Sequence, residues 1–247
     1  MGDKIFYFFT GWFIIGFILV PLDLVPAWLE WANSVFLVAA GIVAGIYFIH
    51  TYGQRVGITF SLFIFVVSIA VEQFGVQTGV FFGNYEYTAR FGVKIFDTPV
   101  TIGFAWLLVM GCADVIARGI TSSRILLPIL GGLIAVTMDL ILDPVAFLVK
   151  EYWIWTEGGF YYDIPSQNFF GWFILAFLFQ SIISFCNPAR EDIWRKRMSL
   201  VFLGVIAMFS VTAITGGLLF APALTLLLSA GWYLLFLKRR PRYETIN

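Results

Sequence analysis

Charge is scarce in this chain. Asp, Glu, Lys and Arg make up only 12% of its 247 residues, against roughly 25% in soluble globular domains. A single histidine, His50, gives no basis for a histidine-built metal cluster. The two cysteines, Cys112 and Cys186, both lie in apolar runs and make neither a disulfide framework nor a zinc site. Acidic and basic residues balance at 15 each, so the basic surface that nucleic acid demands is missing, as is the acidic excess of a halophilic protein. No small-residue cleavage site follows the first apolar run, and position 6 is Phe6, so neither a signal peptide nor N-myristoylation is expected.

What the chain has instead is apolar and aromatic surface: 60% of residues are hydrophobic and 19% aromatic. These residues fall into runs of about 20, the length one helix needs to cross a ~30 Å hydrocarbon core. Eight such runs are predicted, at 5–22, 31–50, 57–74, 99–117, 125–143, 169–186, 198–215 and 217–237. Alternating ten-residue segments are absent, so helices are the spanning element. The fold class is all-α, a polytopic membrane helix bundle forming one integral membrane domain over 1–247. Of the 15 basic residues, twelve fall on one side of that topology: Lys4, Arg55, Arg118, Arg124, Arg190, Arg195, Lys196, Arg197, Lys238, Arg239, Arg240 and Arg242. Arg90, Lys94 and Lys150 fall on the other. By the positive-inside rule both termini are cytoplasmic in a multi-pass protein of the cell membrane.

Ionisable residues inside spans are costly and therefore informative. Glu72 lies near the end of the third span. Asp139 and Asp143 occupy the last turns of the fifth, spaced i,i+4 on one helix face. Asp97 opens the fourth span and Asn168 the sixth. All five fall toward the non-cytoplasmic side, where two connections, 75–98 and 148–168, are too aromatic for solvated loops and too polar for spans. These are expected to lie in the interface or to fold back as a lid, with Asn84-Tyr85-Glu86-Tyr87 able to form a small hairpin. The four carboxyl groups are therefore expected to line one outer cavity with Asn84, Tyr85, Tyr87, Trp153, Trp155 and Asn168.

Simpler roles compete for some of these residues. Asp97-Thr98-Pro99 has the pattern of a helix cap with proline in the first turn, and Asp143-Pro144 could cap a short following helix; Asp139 has no such role. Asp114 and Arg118, also i,i+4, make a local ion pair at the cytoplasmic end. His50 borders an inner loop, and Gly41 with Gly45 forms a small-residue packing face.

Carboxyl groups beside aromatic walls suit proton-initiated chemistry. A desolvated carboxylic acid can remain protonated as a general acid while a second, ionised one orients water or stabilises positive charge, and aromatic faces stabilise cations. Such parts fit protonation of an apolar alkene, with Asp139 or Glu72, the deepest groups, as donor. Proton-coupled transport would use similar parts.

Several stretches resemble the carotenoid hydratases of the CruF type, which include bisanhydrobacterioruberin hydratases and gamma-carotene 1′-hydroxylases. They are Glu72-Gln73-Phe74-Gly75 with Gly79, Phe82 to Tyr87, Pro99 with Ala105-Trp106, Asp139 to Pro144, Trp153 to Trp155, and Ile164-Pro165 followed by Asn168 to Trp172. The likeness runs over about 70–175; Asp163 stands where glycine would be expected. It implies addition of water to the terminal double bond of an acyclic carotenoid end, giving a tertiary alcohol. Glu72, Asp97, Asp139 and Asp143 would be catalytic, and Trp106 and Trp172 would join the substrate-binding residues. No cofactor or metal is implied. The implied partners are the carotenoid, water, the bilayer and other carotenoid biosynthesis enzymes. Two alternatives compete with this reading. A UbiA-like prenyltransferase is suggested by Asp139-x-x-x-Asp143, but needs two such motifs and basic residues for diphosphate. A small proton-coupled transporter would need paired inverted repeats.

Overall fold

The computed structural model describes residues 1–188 and 193–239. Arg190, Arg240 and Arg242, part of the basic bias, lie outside the described residues. Among the described residues eight helices are long and apolar enough to cross a membrane: α1 (Gly2–Leu19), α2 (Trp31–Tyr52), α3 (Gln54–Thr78), α4 (Thr101–Ile120), α5 (Leu126–Pro144), α6 (Ser166–Ser184), α7 (Ile193–Thr215) and α8 (Phe220–Arg239). The protein is a multi-pass, all-α membrane bundle, as its composition predicts. Ion pairs define its two ends. At one, Arg197 near the start of α7 holds Asp3 of α1 at 2.5 Å; at the other, Lys150 beyond α5 reaches Asp23 beyond α1 at 3.7 Å. These are called the terminal side and the loop side below.

Helix α4 is the axis of the bundle: nearly all of its residues are buried, whereas α1, on the outside of the bundle, buries only Phe9. It packs against α2, α3, α5, α7 and α8. Small residues allow this closeness, because without a hydrophobic drive between helices in lipid, tight van der Waals approach holds them together. A Cβ built on Gly41 of α2 would lie 2.8 Å from the backbone oxygen of Phe104, and one on Gly111 2.9 Å from the Cβ of Ala44. Gly45 is looser, its nearest neighbour being Ser61 at 3.6 Å.

At the terminal side the expected Asp114–Arg118 pair is present at 3.0 Å, but it belongs to a larger buried network. Tyr47 and Tyr52 donate to Asp114 Oδ2 at 2.7 and 2.6 Å, Gln180 donates to Oδ1 at 2.7 Å, and Arg118 also donates to the carbonyl of Ile183 at 2.8 Å. His50 is exposed near the end of α2, stacked on Trp194.

At the loop side the two aromatic connections pair with each other. Strand β1 (Tyr85–Tyr87) does not form a local hairpin. It runs antiparallel to β4 (Trp153–Trp155), with Tyr85 opposite Trp155 and Tyr87 opposite Trp153. A second small ladder joins β2 (Lys94–Ile95) to β3 (Thr98–Pro99). The capping expectation for Asp97-Thr98-Pro99 is thereby corrected: Thr98 and Pro99 are paired in a strand and α4 starts at Thr101. Gln73 of α3 competes for the same groups, since its Oε1 accepts from the backbone N–H of Asp97 and from the Thr98 hydroxyl, both at 3.0 Å.

The Asp143-Pro144 cap is also corrected. Pro144 closes α5 and the chain continues as a π turn over Val145–Val149. Proline brings no N–H to the carbonyl four residues back, and Tyr161 fills that place by donating to the Leu140 oxygen at 2.6 Å. Asp163 adopts φ +58°, the left-handed region where glycine is unstrained and aspartate is among the better tolerated residues.

Close approach of α2 to α4 makes a checkable demand. Gly41→Ala is expected to lower stability by about 1–3 kcal/mol through overpacking, read as an earlier thermal unfolding in detergent. Gly11→Ala, whose added Cβ meets nothing within 4 Å, should leave the midpoint unchanged or slightly raised.

Candidate active site

A cavity of about 240 Å³ lies beneath the paired loops. Its floor and far wall are apolar, built from Ile15 and Leu19 of α1, Phe36 of α2, Leu108 of α4 and Phe209 of α7. Three carboxyl groups enter it. Glu72 comes from the last turns of α3, and Asp139 and Asp143 come from one face of α5, one turn apart. They are buried to 5%, 1% and 1% exposure respectively.

Each carboxyl group has its own donors. Glu72 Oε2 accepts from Tyr87 at 3.0 Å and from Tyr85, and Oε1 accepts from Trp106 Nε1 at 3.2 Å. Asp143 Oδ1 accepts from the indole N–H of Trp153 at 2.9 Å and of Trp155 at 3.3 Å. The Asn168 amide spans the remaining pair, donating to Asp139 Oδ2 at 2.8 Å and to Asp143 Oδ2 at 2.6 Å. Glu72 and Asp143 thus receive three donors each, while Asp139 receives one among the described residues. Burial pushes the hydroxyls of Tyr85 and Tyr87 well above the usual tyrosine range, and the neighbouring Glu72 adds to the effect, so both remain O–H donors.

The rings that carry these donors also wall the cavity. Trp106 stacks on Trp172 with centroids 4.5 Å apart, Tyr85 lies 4.8 Å from Trp155, and Tyr87 meets Trp153 edge-on at 5.9 Å. Side chains in a strand alternate in direction. With Tyr85 and Tyr87 facing inward, Glu86 faces out, and on the partner strand Ile154 faces out between Trp153 and Trp155.

Ten of the twelve residues expected to act together line this one cavity: Glu72, Tyr85, Tyr87, Trp106, Asp139, Asp143, Trp153, Trp155, Asn168 and Trp172. Two do not. Asn84 falls on the outward phase of β1 and its amide donates to Glu157 at 2.6 Å on the surface. Asp97 is exposed, its carboxylate accepting from Gln73 Nε2 at 3.0 Å. Gln73 follows Glu72 directly, so the helix turns it about 100° away from the cavity and draws Asp97 with it. The α1 wall was not expected from the sequence, nor was Lys150, which lines the cavity and donates to the Val20 carbonyl at 3.4 Å. Apolar residues of a terminal span carry no signal that separates cavity wall from lipid face. Among the described residues no three His, Cys, Asp or Glu side chains gather as metal ligands.

Fold and site together define a membrane-embedded helix bundle whose buried carboxyl groups face an apolar, aromatic-walled cavity. A model of the family described as carotenoid biosynthesis proteins matches residues 32–236, most of the chain, and the protein belongs to that family. No curated protein and no solved structure matches the chain.

The Asn168 amide is the hinge of the site's polar order. Asn168→Ala is expected to cost about 1–3 kcal/mol by leaving two buried carboxyl groups without their shared donor, seen as a lower unfolding temperature. Asn84→Ala, on the outer face, should fall within about 0.5 kcal/mol of the parent.

Proposed function

We propose that this carotenoid biosynthesis protein is a hydratase, adding water across the terminal double bond of an acyclic carotenoid end group to give a tertiary alcohol. The observation that carries the reading is the unequal provision of donors in one apolar cavity. Glu72 and Asp143 each receive three hydrogen bonds, which favour the charged form relative to Asp139, which receives one among the described residues and is the best placed of the three to carry a proton.

In this mechanism Asp139 delivers its proton to the less substituted alkene carbon, leaving a tertiary cation. The ring faces around the cavity and the carboxylates of Glu72 and Asp143 stabilise that charge. Water adds to the cationic carbon, and the proton it loses returns to the Asp139/Asp143 pair, so no proton is consumed overall. The apolar wall from α1, α2 and α7 holds the isoprenoid end, and the bilayer takes the remainder of the polyene. The bias of basic residues supports cytoplasmic termini in the cell membrane, with the cavity in the outer half. Lys150 is the only basic side chain lining the cavity among the described residues, and it already faces Asp23; this is a poor diphosphate site and weighs against a prenyltransferase.

Carotenoids extracted from a pigmented host expressing the chain should show products heavier by one water. Asp139→Asn should reduce that product by at least ~10²–10⁴-fold, the usual worth of a general acid, with Glu72→Gln similarly impaired and both variants still folded and inserted. The oxygen should come from H₂¹⁸O; label from ¹⁸O₂ would make the reaction oxidative and the mechanism wrong. Gly16 lines the cavity with open space around its Cβ position. Gly16→Trp should therefore exclude the substrate and lower product yield while the unfolding midpoint stays near the parent's.

A further inference from the structure

The terminal side holds a second cavity, of about 260 Å³, unconnected with the carboxylate cavity and opposite in character. It lies where the α4–α5 connection meets the end of α6 and the first turn of α7. Arg118, Arg124 and Arg195 line it, with Thr121, Ser184 and Asn187 supplying neutral polar groups. Acidic side chains are absent from its lining among the described residues.

Among the described residues charge does not balance there. Arg118 is 7% exposed and is matched by Asp114, which is fully buried and accepts its Nε–H at 3.0 Å. Arg195 is 9% exposed and has no hydrogen-bond or ion-pair partner among the described residues. Among the described residues two buried guanidinium groups therefore stand against one buried carboxylate, with Arg124 exposed at the rim adding a third positive charge. A guanidinium carries five N–H donors in a planar fork suited to phosphate oxygens, and a buried cation left unpaired is costly. Water can accept the hydrogen bonds but cannot neutralise the charge.

We infer that this cavity binds a phosphate group, with Arg195 as its principal ligand and Arg124 closing over it. The position favours the headgroup of an anionic phospholipid, since basic recesses at the ends of membrane spans meet lipid phosphates at that depth. A free phosphate is the other source of the same chemistry. The site is independent of the hydratase reading, because it shares no residue with the carboxylate cavity.

Full-length protein in neutral detergent, stripped of lipid, is titrated with phosphatidylglycerol, with diacylglycerol as a phosphate-free lipid control, and with inorganic phosphate, following the unfolding midpoint and native mass spectra. Saturable stabilisation and one-to-one retention of phosphatidylglycerol, not diacylglycerol, is expected. Affinity should drop about ten- to hundredfold in Arg195→Gln, as for loss of a charged hydrogen-bonding partner, and to a lesser degree in Arg124→Gln. The same pattern with inorganic phosphate alone would support the site and assign it to a free anion. Arg124 is exposed, so its replacement decides the matter should Arg195→Gln not fold. Equal effects of diacylglycerol and phosphatidylglycerol without any effect of phosphate, or binding undiminished in the variants that fold, would overturn the inference.

Discussion

Three carboxyl groups buried at one end of an apolar bundle are the constraint on which the loop side is built. Carboxyl groups taken out of water need hydrogen-bond donors, and a helix interior has none to spare, since its backbone N–H groups are committed to the helix itself. Here six side chains provide them: Tyr85, Tyr87, Trp106, Trp153, Trp155 and Asn168. Four come from the two paired strands, which explains why connections that look like loops are so rich in aromatics. Each Tyr or Trp presents one polar atom to a carboxylate and the rest of its ring to the cavity, so one residue type serves both polar satisfaction and apolar lining.

The two buried acidic centres differ in a way that separates support from chemistry. Asp114 is saturated: a guanidinium, two tyrosine hydroxyls and an amide all point at it, and it ties α2, α4 and α6 together. Among the described residues Glu72, Asp139 and Asp143 have no cation as hydrogen-bond partner, and they open onto space large enough for a ligand. A carboxyl group held without a counter-ion beside an apolar cavity is poorly suited to stability and well suited to handling a proton.

Much of this was legible in the chain. Hydropathy marks all eight spans, because twenty-residue apolar runs have few other uses, and the ionisable residues inside them mark the loop side. The i,i+4 spacing of Asp139 and Asp143 fixes their common face. What could not be read was how one loop meets another. Asn84 and Tyr85 are neighbours in sequence, yet the strand phase sends one to solvent and the other to Glu72, and that phase is set by pairing with Trp153 to Trp155, some seventy residues away. Asp97-Thr98-Pro99 has the local pattern of a cap, but Gln73 binds Asp97 and Thr98 from another helix. Gln180, a lone amide in an apolar span, was a signal for the Asp114 network that the i,i+4 pair with Arg118 concealed. The wall from α1 lies outside both the resemblance over 70–175 and the family match over 32–236.

The central claim is that a carboxylic acid places a proton on a carbon of the substrate. Conversion of the acyclic carotenoid in D₂O, with the product re-equilibrated in H₂O before mass and NMR analysis, tests it directly. The account expects one non-exchangeable deuterium on the carbon next to the new carbinol in every hydrated end group, and no such product from Asp139→Asn. A hydrated product with no carbon-bound deuterium would contradict it.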